Sequence, residues 1–308
     1  MEPAGRDRRV RGFRALVGRA LRGADSSHRG DPVVARFTVF GGRGFIGSAL
    51  VRHLETQGHD VEVPGRDDDS WRGSELGHVV WAAGLTADFR HRPLEVAEPH
   101  VALPARVLAD GDAASFSYLA SARLYRGAPS GHEESAFIVD PRDSDHLYDI
   151  SKLAGEALTL SARRMRGRVV RLSNVSAPGD ASDNFLASIV REAVNGHVSL
   201  RTSAASCKDY VHLNDVVAMI EAIALRGVHR IYNVASGALT THRAIVERLS
   251  SICGCGWDVA ENAPCIEDVA VVIDRIVDEF GFRPRSVVDA LPEMVRVVQD
   301  SLSEMSVT

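Results

Sequence analysis

The chain reads as an α/β protein, a doubly wound parallel sheet followed by a smaller mixed α/β substrate domain. Three observations predict this. Apolar strands alternate with helix-spaced segments through the first half, a glycine-rich turn joins the first strand to the first helix, and the pattern becomes mixed beyond about residue 178.

Taken in order, Arg36-Phe37-Thr38-Val39-Phe40 is a buried strand, and Ser48 to Gly58 a helix with Ala49, Leu50, His53 and Leu54 on one face. Asp60 to Val63 is the second strand, ending at Pro64-Gly65-Arg66, and Gly77 to Ala83 the next. Glu95 to Leu108 is a helix broken near Pro99 and Pro104. Phe116 to Ser121 and Arg168 to Leu172 are strands, with the helix bearing Tyr148 and Lys152 between them. Later elements are a helix from Asn184 to Asn195, a strand from His197 to Arg201, a helix from Asp215 to Leu225 and a strand from Ile231 to Val234. His212 and Asp215 are expected to fix a turn and cap the helix beginning there. The expected organisation is a basic, disordered extension over 1–32, a dinucleotide domain over 33–178, and a substrate domain over 179–308 whose chain revisits the first around 207–236.

At 308 residues and 45% hydrophobic, the chain can bury one large core or two modest ones, and its formal charge of −5 gives no global attraction to nucleic acid. No apolar run reaches the roughly 18–20 residues of a membrane span. The N-terminus has no continuous apolar core of signal-peptide type, so a cytoplasmic location is expected. The arginines of the extension leave open a weak contact of that tail with lipid. Cys207, Cys253, Cys255 and Cys265 form one Cys-x-Cys and no Cys-x-x-Cys, so reduced thiols are expected and no metal centre.

Glycines at 41, 44 and 47 remove side chains that would block a pyrophosphate, and the helix after them points its N-terminus at the anion. At the end of the second strand, where an acid would accept bonds from a ribose 2′-OH, stand Gly65 and Arg66. Arg66, with Arg43 in the turn, suits a 2′-phosphate, while Asp67-Asp68-Asp69 just beyond suits a plain ribose. NADP(H) is favoured over NAD(H). Tyr148 and Lys152, four apart on one helix face, place an ammonium beside a phenol and favour its ionised form.

Five segments in order carry a resemblance to a known family: Phe40 to Gly47, Val79 to Gly84, Leu119 to Tyr125, Tyr148 to Lys152, and Lys208 to Val216. Over about Val33 to Leu291 the chain resembles the extended short-chain dehydrogenase/reductases, of the NAD-dependent epimerase/dehydratase type, most of which act on nucleotide-linked sugars. The resemblance implies a Rossmann sheet, a homodimer, and Phe45, Ile46, Ala82, Ala83 and Gly84 at the cofactor. It implies Ser121 and Tyr148 on the reacting oxygen and Lys152 also on the nicotinamide ribose. Asn174 and Lys208 would meet the substrate, the latter at its diphosphate. Thr86 and Arg90, in a loop at the carboxyl end of a strand, are further candidate contacts.

Two departures matter. Between Arg66 and His78 there is no room for the usual strand and helix, so the adenine end of the cofactor pocket is expected to be more open. Where a sugar dehydratase carries an Asp-Glu pair this chain has Ala122-Arg123, which disfavours dehydration. Arg123 is read equally as an anchor for an anionic part of the substrate or as a surface ion pair. The leading expectation is an NADPH-dependent keto-sugar reductase, ahead of an epimerase with bound NAD, then a dehydratase or a non-catalytic nucleotide-binding scaffold.

Overall fold

The computed structural model describes residues 34–305 except Asp67; the basic extension over 1–32 lies outside the described residues. The chain runs β1 (Arg36–Phe40), α1 (Phe45–Thr56), β2 (Asp60–Glu62), β3 (His78–Trp81), α2 (Leu103–Asp110), β4 (Ser115–Ser121), α3 (His146–Ser161), β5 (Arg166–Leu172) and β6 (Asn174–Ser176). It continues through α4 (Phe185–Val194), β7 (His197–Leu200), β8 (Cys207–His212), α5 (Leu213–Arg226), β9 (Ile231–Val234), β10 (Leu239–Thr241), α6 (His242–Cys253), β11 (Gly256–Val259), α7 (Asp274–Phe280) and α8 (Val287–Met305).

Six strands form one sheet in the order β2-β1-β3-β4-β5-β9, every neighbouring pair parallel. Parallel neighbours need crossovers, and helices on both faces supply them. On one face Leu50 and Leu54 of α1 and Ile220 and Ile223 of α5 pack on Phe37, Val39 and Val170. On the other, Val107 and Leu108 of α2 meet Val79, Trp81 and Phe116. The order reverses between β1 and β3, which opens a crevice at the carboxyl ends of the strands.

The stretch from β2 to β3 carries no further strand or helix among the described residues. It is nevertheless packed: Trp71 and Leu76 are fully buried, Trp71 lying edge-on to Phe40 at 6.3 Å while Phe40 stacks on Trp81 at 4.8 Å. Burying one such indole removes roughly 150–250 Å² from water, about 4–6 kcal/mol as an upper figure.

The helix foreseen over 95–108 is three pieces: a 3-10 turn at Pro93–Val96, a π turn at Glu98–Ala102, and α2. Pro99 and Pro104 lack the N–H groups that a continuous helix would use. The helix after the glycine turn starts at Phe45, earlier than expected, because Gly44 is extended and serves as its N-cap. His212 Nδ1 accepts from Asn214 N at 3.1 Å and caps α5, whereas Asp215 holds Arg285.

Two of the three arginines of β5, Arg168 and Arg171, are buried, an arrangement that its β-branched pattern hides. Arg168 donates to the carbonyls of Gly227 and Ala224, filling the C-terminal end of α5, where a cation suits the helix dipole. Arg171 makes a two-pronged pair with Glu156 of α3 at 2.7 and 3.0 Å. A Cβ on Gly155 would lie 2.3 Å from the Tyr118 hydroxyl, so its bare Cα lets α3 close on β4 and brings Tyr148 toward Ser121.

A second group of elements has its own core of Leu186, Ile189, Ile245, Leu249, Leu291 and Val295. Strands β10-β8-β6 form a small sheet and β11-β7 a parallel pair, while α5 and β9 belong to the large sheet. Among the described residues no helix is long and apolar enough to cross a membrane.

Candidate active site

The chain leaves β1 into Gly41, whose φ of +80° is the left-handed region that glycine tolerates; a Cβ there would lie 2.5 Å from Ala83 N. On Gly47 it would lie 2.1 Å from Gly41 O, so packing alone requires both residues. Gly44 differs: a Cβ would meet only Gly41 O at 3.3 Å, and its open face looks outward. The first turn of α1 carries no acid and no side-chain cap, which leaves its amide groups for an anion. This cradle fits a dinucleotide pyrophosphate.

Around it stand the other residues expected at the cofactor. Arg43 and Phe45 are exposed and Ile46 half-buried. Ala82 N donates to Phe40 O at 2.8 Å, Ala83 packs on Gly41, and a Cβ on Gly84 would lie 3.3 Å from Lys152 Nζ. Val63 presses on Gly42, so the end of β2 lies beside the glycine turn, with Arg66 exposed in the turn that follows.

Ser121 and Tyr148 open on one cavity of about 470 Å³ that also exposes Thr86, Arg123, Asn174 and Lys208. These four, all singled out for the substrate, therefore share one space with the proposed acid. Asn174 Nδ2 is tied to Asp209 O at 2.8 Å, and the Lys208 ammonium, 6.0 Å from the Phe185 ring, is pushed down in pKa by burial. Arg90 reaches this wall too, in a two-pronged pair with Asp145.

Burial pushes the Tyr148 phenol up to about 12; a hydrogen bond with Ser121 and the charge of Arg123 pull against this. The Arg123 guanidinium lies 5.8 Å from the ring centre. It is a second cation beside the phenol, at nearly the same distance as the Lys152 that spacing put there. Lys152 lies deeper, its Nζ donating to Leu119 O at 3.0 Å and 6.0 Å from the Tyr148 ring centre, with burial lowering its pKa to about 8. Arg123 Nε pairs with the buried Asp149 at 2.9 Å, so the ion pair is not at the surface, and the side chain also lines the cavity.

His100 and Arg126 escaped the sequence reading. His100, fully buried in the π turn, accepts at Nε2 from Leu85 N (3.1 Å), which leaves its proton on Nδ1 for Ser151 Oγ (2.8 Å). Ser151 Oγ then donates to the Tyr148 carbonyl at 2.8 Å. Burial first, then the charge of Lys152, pushes the imidazole down to about 3, so it stays neutral. The two prolines around His100 were the available signal.

The glycine cradle at a topological switch point and the Ser121, Tyr148 and Lys152 cluster define a dinucleotide-binding enzyme of the short-chain dehydrogenase/reductase class. The sequence pattern of the NAD dependent epimerase/dehydratase family matches residues 37–89 and 73–235, and the chain belongs to that family of NAD(P)-dependent, nucleotide-sugar-modifying enzymes. It is 28% identical over 294 residues to a dTDP-6-deoxy-L-talose 4-dehydrogenase (NAD(P)(+)) of Kitasatospora kifunensis, covering 82% of this chain and 91% of that one. A dTDP-glucose 4,6-dehydratase of Streptomyces griseus is 29% identical over 157 residues, covering 47% of each chain, so the match spans about half of that relative's length. The structure of RMD from Pseudomonas aeruginosa complexed with NADPH superposes with a TM-score of 0.71 at 21% identity, covering 87% of this chain and 98% of that one.

Proposed function

We propose that the protein reduces a keto group on a nucleotide-linked sugar, with NADPH as reductant. The observation that carries this reading is a phenol held protonated, with a pKa near 12, beside Ser121 in a cavity lined by cations. A reductase needs a proton donor at neutral pH, and Tyr148 is one. When bound, the dinucleotide supplies the hydride.

The residues of the chain do the rest. The Tyr148 hydroxyl gives its proton to the substrate oxygen, and the Ser121 hydroxyl donates a hydrogen bond to that oxygen as charge gathers there. In this reading Lys152, beside Gly84, serves the nicotinamide ribose, and Gly44 with the uncapped first turn of α1 serves the pyrophosphate. Arg43 and Arg66 are the groups for a 2′-phosphate, with Gly65 in place of an acid. Asn174 and Lys208 meet the nucleotide-sugar. Ala122-Arg123 supplies no acid-base pair for dehydration. A homodimer that pairs through α3 completes the reading and is tested by light scattering.

The experiment is mass spectrometry of the purified protein followed by titration with NADPH and NADH. A site that is empty or prefers NADPH, with the preference lost in Arg66→Ala, supports the reductase. Tightly retained NAD replaces it with an epimerase.

A further inference from the structure

Four cations open on the cavity, more than an uncharged sugar on a diphosphate calls for: Arg90, Arg123, Arg126 and Lys208. Arg90 is satisfied by Asp145, and Arg123 is held by Asp149 and by the Asp145 carbonyl at 2.9 Å. The guanidinium of Arg126 makes no hydrogen bond or ion pair with a described residue. It is the C-cap of the 3-10 turn (Ala122–Tyr125) that carries Arg123, and both side chains line the same cavity.

Their place relative to the chemistry is fixed by two anchors. Arg123 N donates to Ser121 Oγ at 3.2 Å and its guanidinium overlies Tyr148, so Arg123 belongs to the end of the cavity where the reacting carbon must sit. Lys208 stands on β8 beside Phe185, and the reading above gives it the diphosphate. Asp268 and Asp209 also line the space; Asp209 is turned inward, Oδ1 accepting from Ser236 N at 2.8 Å. Burial, and then the charge of Arg123, lowers the Arg126 pKa, against the smaller opposing charges of Asp268, Asp149 and Asp145, none of which bonds its guanidinium.

We propose that Arg123 and Arg126 form a subsite for a carboxylate carried by the sugar ring, so that the substrate is a nucleotide-linked sugar acid whose charge lies next to the reacting carbon. This rests on the nucleotide-sugar reading above. The free fork of Arg126 takes the carboxylate edge-on, and Arg123, already oriented by Asp149, closes on its other oxygen.

The test measures calorimetric affinities of wild type and Arg126→Gln for UDP-glucuronate, UDP-glucose and UDP, with the dTDP series in parallel. One charge-assisted bond corresponds to roughly a 10- to 100-fold preference for the sugar acid over the neutral sugar in wild type. In Arg126→Gln that ratio falls toward one, and Arg126→Lys recovers part of it. Equal affinities in wild type, or a ratio unchanged by Arg126→Gln, overturn the subsite. So does an equal loss for UDP or dTDP alone, which makes Arg126 a diphosphate ligand. If neither nucleoside diphosphate binds wild type, the nucleotide-sugar reading itself falls, a result separable from the others. Arg126 is open to the cavity and bears no structural pair, and matching thermal unfolding of the variant confirms an intact fold.

Discussion

Replacing Tyr148 by phenylalanine removes one atom from a residue that is 7% exposed, so shape and packing survive while the proton does not. Removing a positioned acid lowers kcat by about 10²- to 10⁴-fold, or about 3–5 kcal/mol of barrier. The same substitution has a second readout at high pH. The folded phenol titrates near 12 against an ordinary value of 10.0. Between these values the unfolded chain releases a proton that the folded chain keeps, so stability falls as pH rises, by about 2–3 kcal/mol across the window. Phenylalanine lacks that component. Tyr118 and Tyr210, also pushed up by burial, contribute to both proteins and cancel in the difference. Steady-state reduction of a keto-sugar at pH 7 and denaturant titrations at pH 9.5 and 11.5 measure the two effects. Unchanged kcat refutes the proton-donor assignment, and parallel stability curves refute the buried neutral phenol.

Two further outcomes follow from the buried polar groups. His100 titrates near 3 when folded against 6.5 ordinarily, so below pH 6.5 the unfolded chain takes up a proton first and stability drains away toward pH 3, by about 4–5 kcal/mol in all. Urea titrations at pH 7 and pH 4.5 on wild type and His100→Gln measure this, with a shallower pH dependence in the variant; equal slopes remove His100 as the cause. Glu156→Gln leaves Arg171 buried without its anion and costs about 3–5 kcal/mol, whereas a Glu156→Leu, Arg171→Met double variant costs less than the sum of the singles. Additive chemical-denaturation values for those singles and the double reject the pairing.

The class of fold and the candidate residues of the site were legible because each rests on local rules. Glycines 41, 44 and 47 mark a strand-to-helix turn, a four-residue interval puts Tyr148 and Lys152 on one face, and the short interval from Arg66 to His78 leaves no room for a strand and helix. The assembly of Thr86, Arg123, Asn174 and Lys208 on one cavity joins four distant segments, and local spacing carries no information on that. Arg168, Arg171 and Arg126 are alike as letters; tertiary packing makes one a helix-end plug, one half of a buried ion pair and one a cation facing the cavity.

The sequence by itself therefore determined the parallel sheet, the glycine cradle and the tyrosine-lysine pair of the candidate site. Only the tertiary structure decided that Arg123 stands beside that tyrosine as well as Lys152, that a neutral histidine braces its helix, and which cations face the cavity. Local periodicity sets which way a side chain points, but burial and charge act through space, and their strength depends on neighbours that the fold alone supplies.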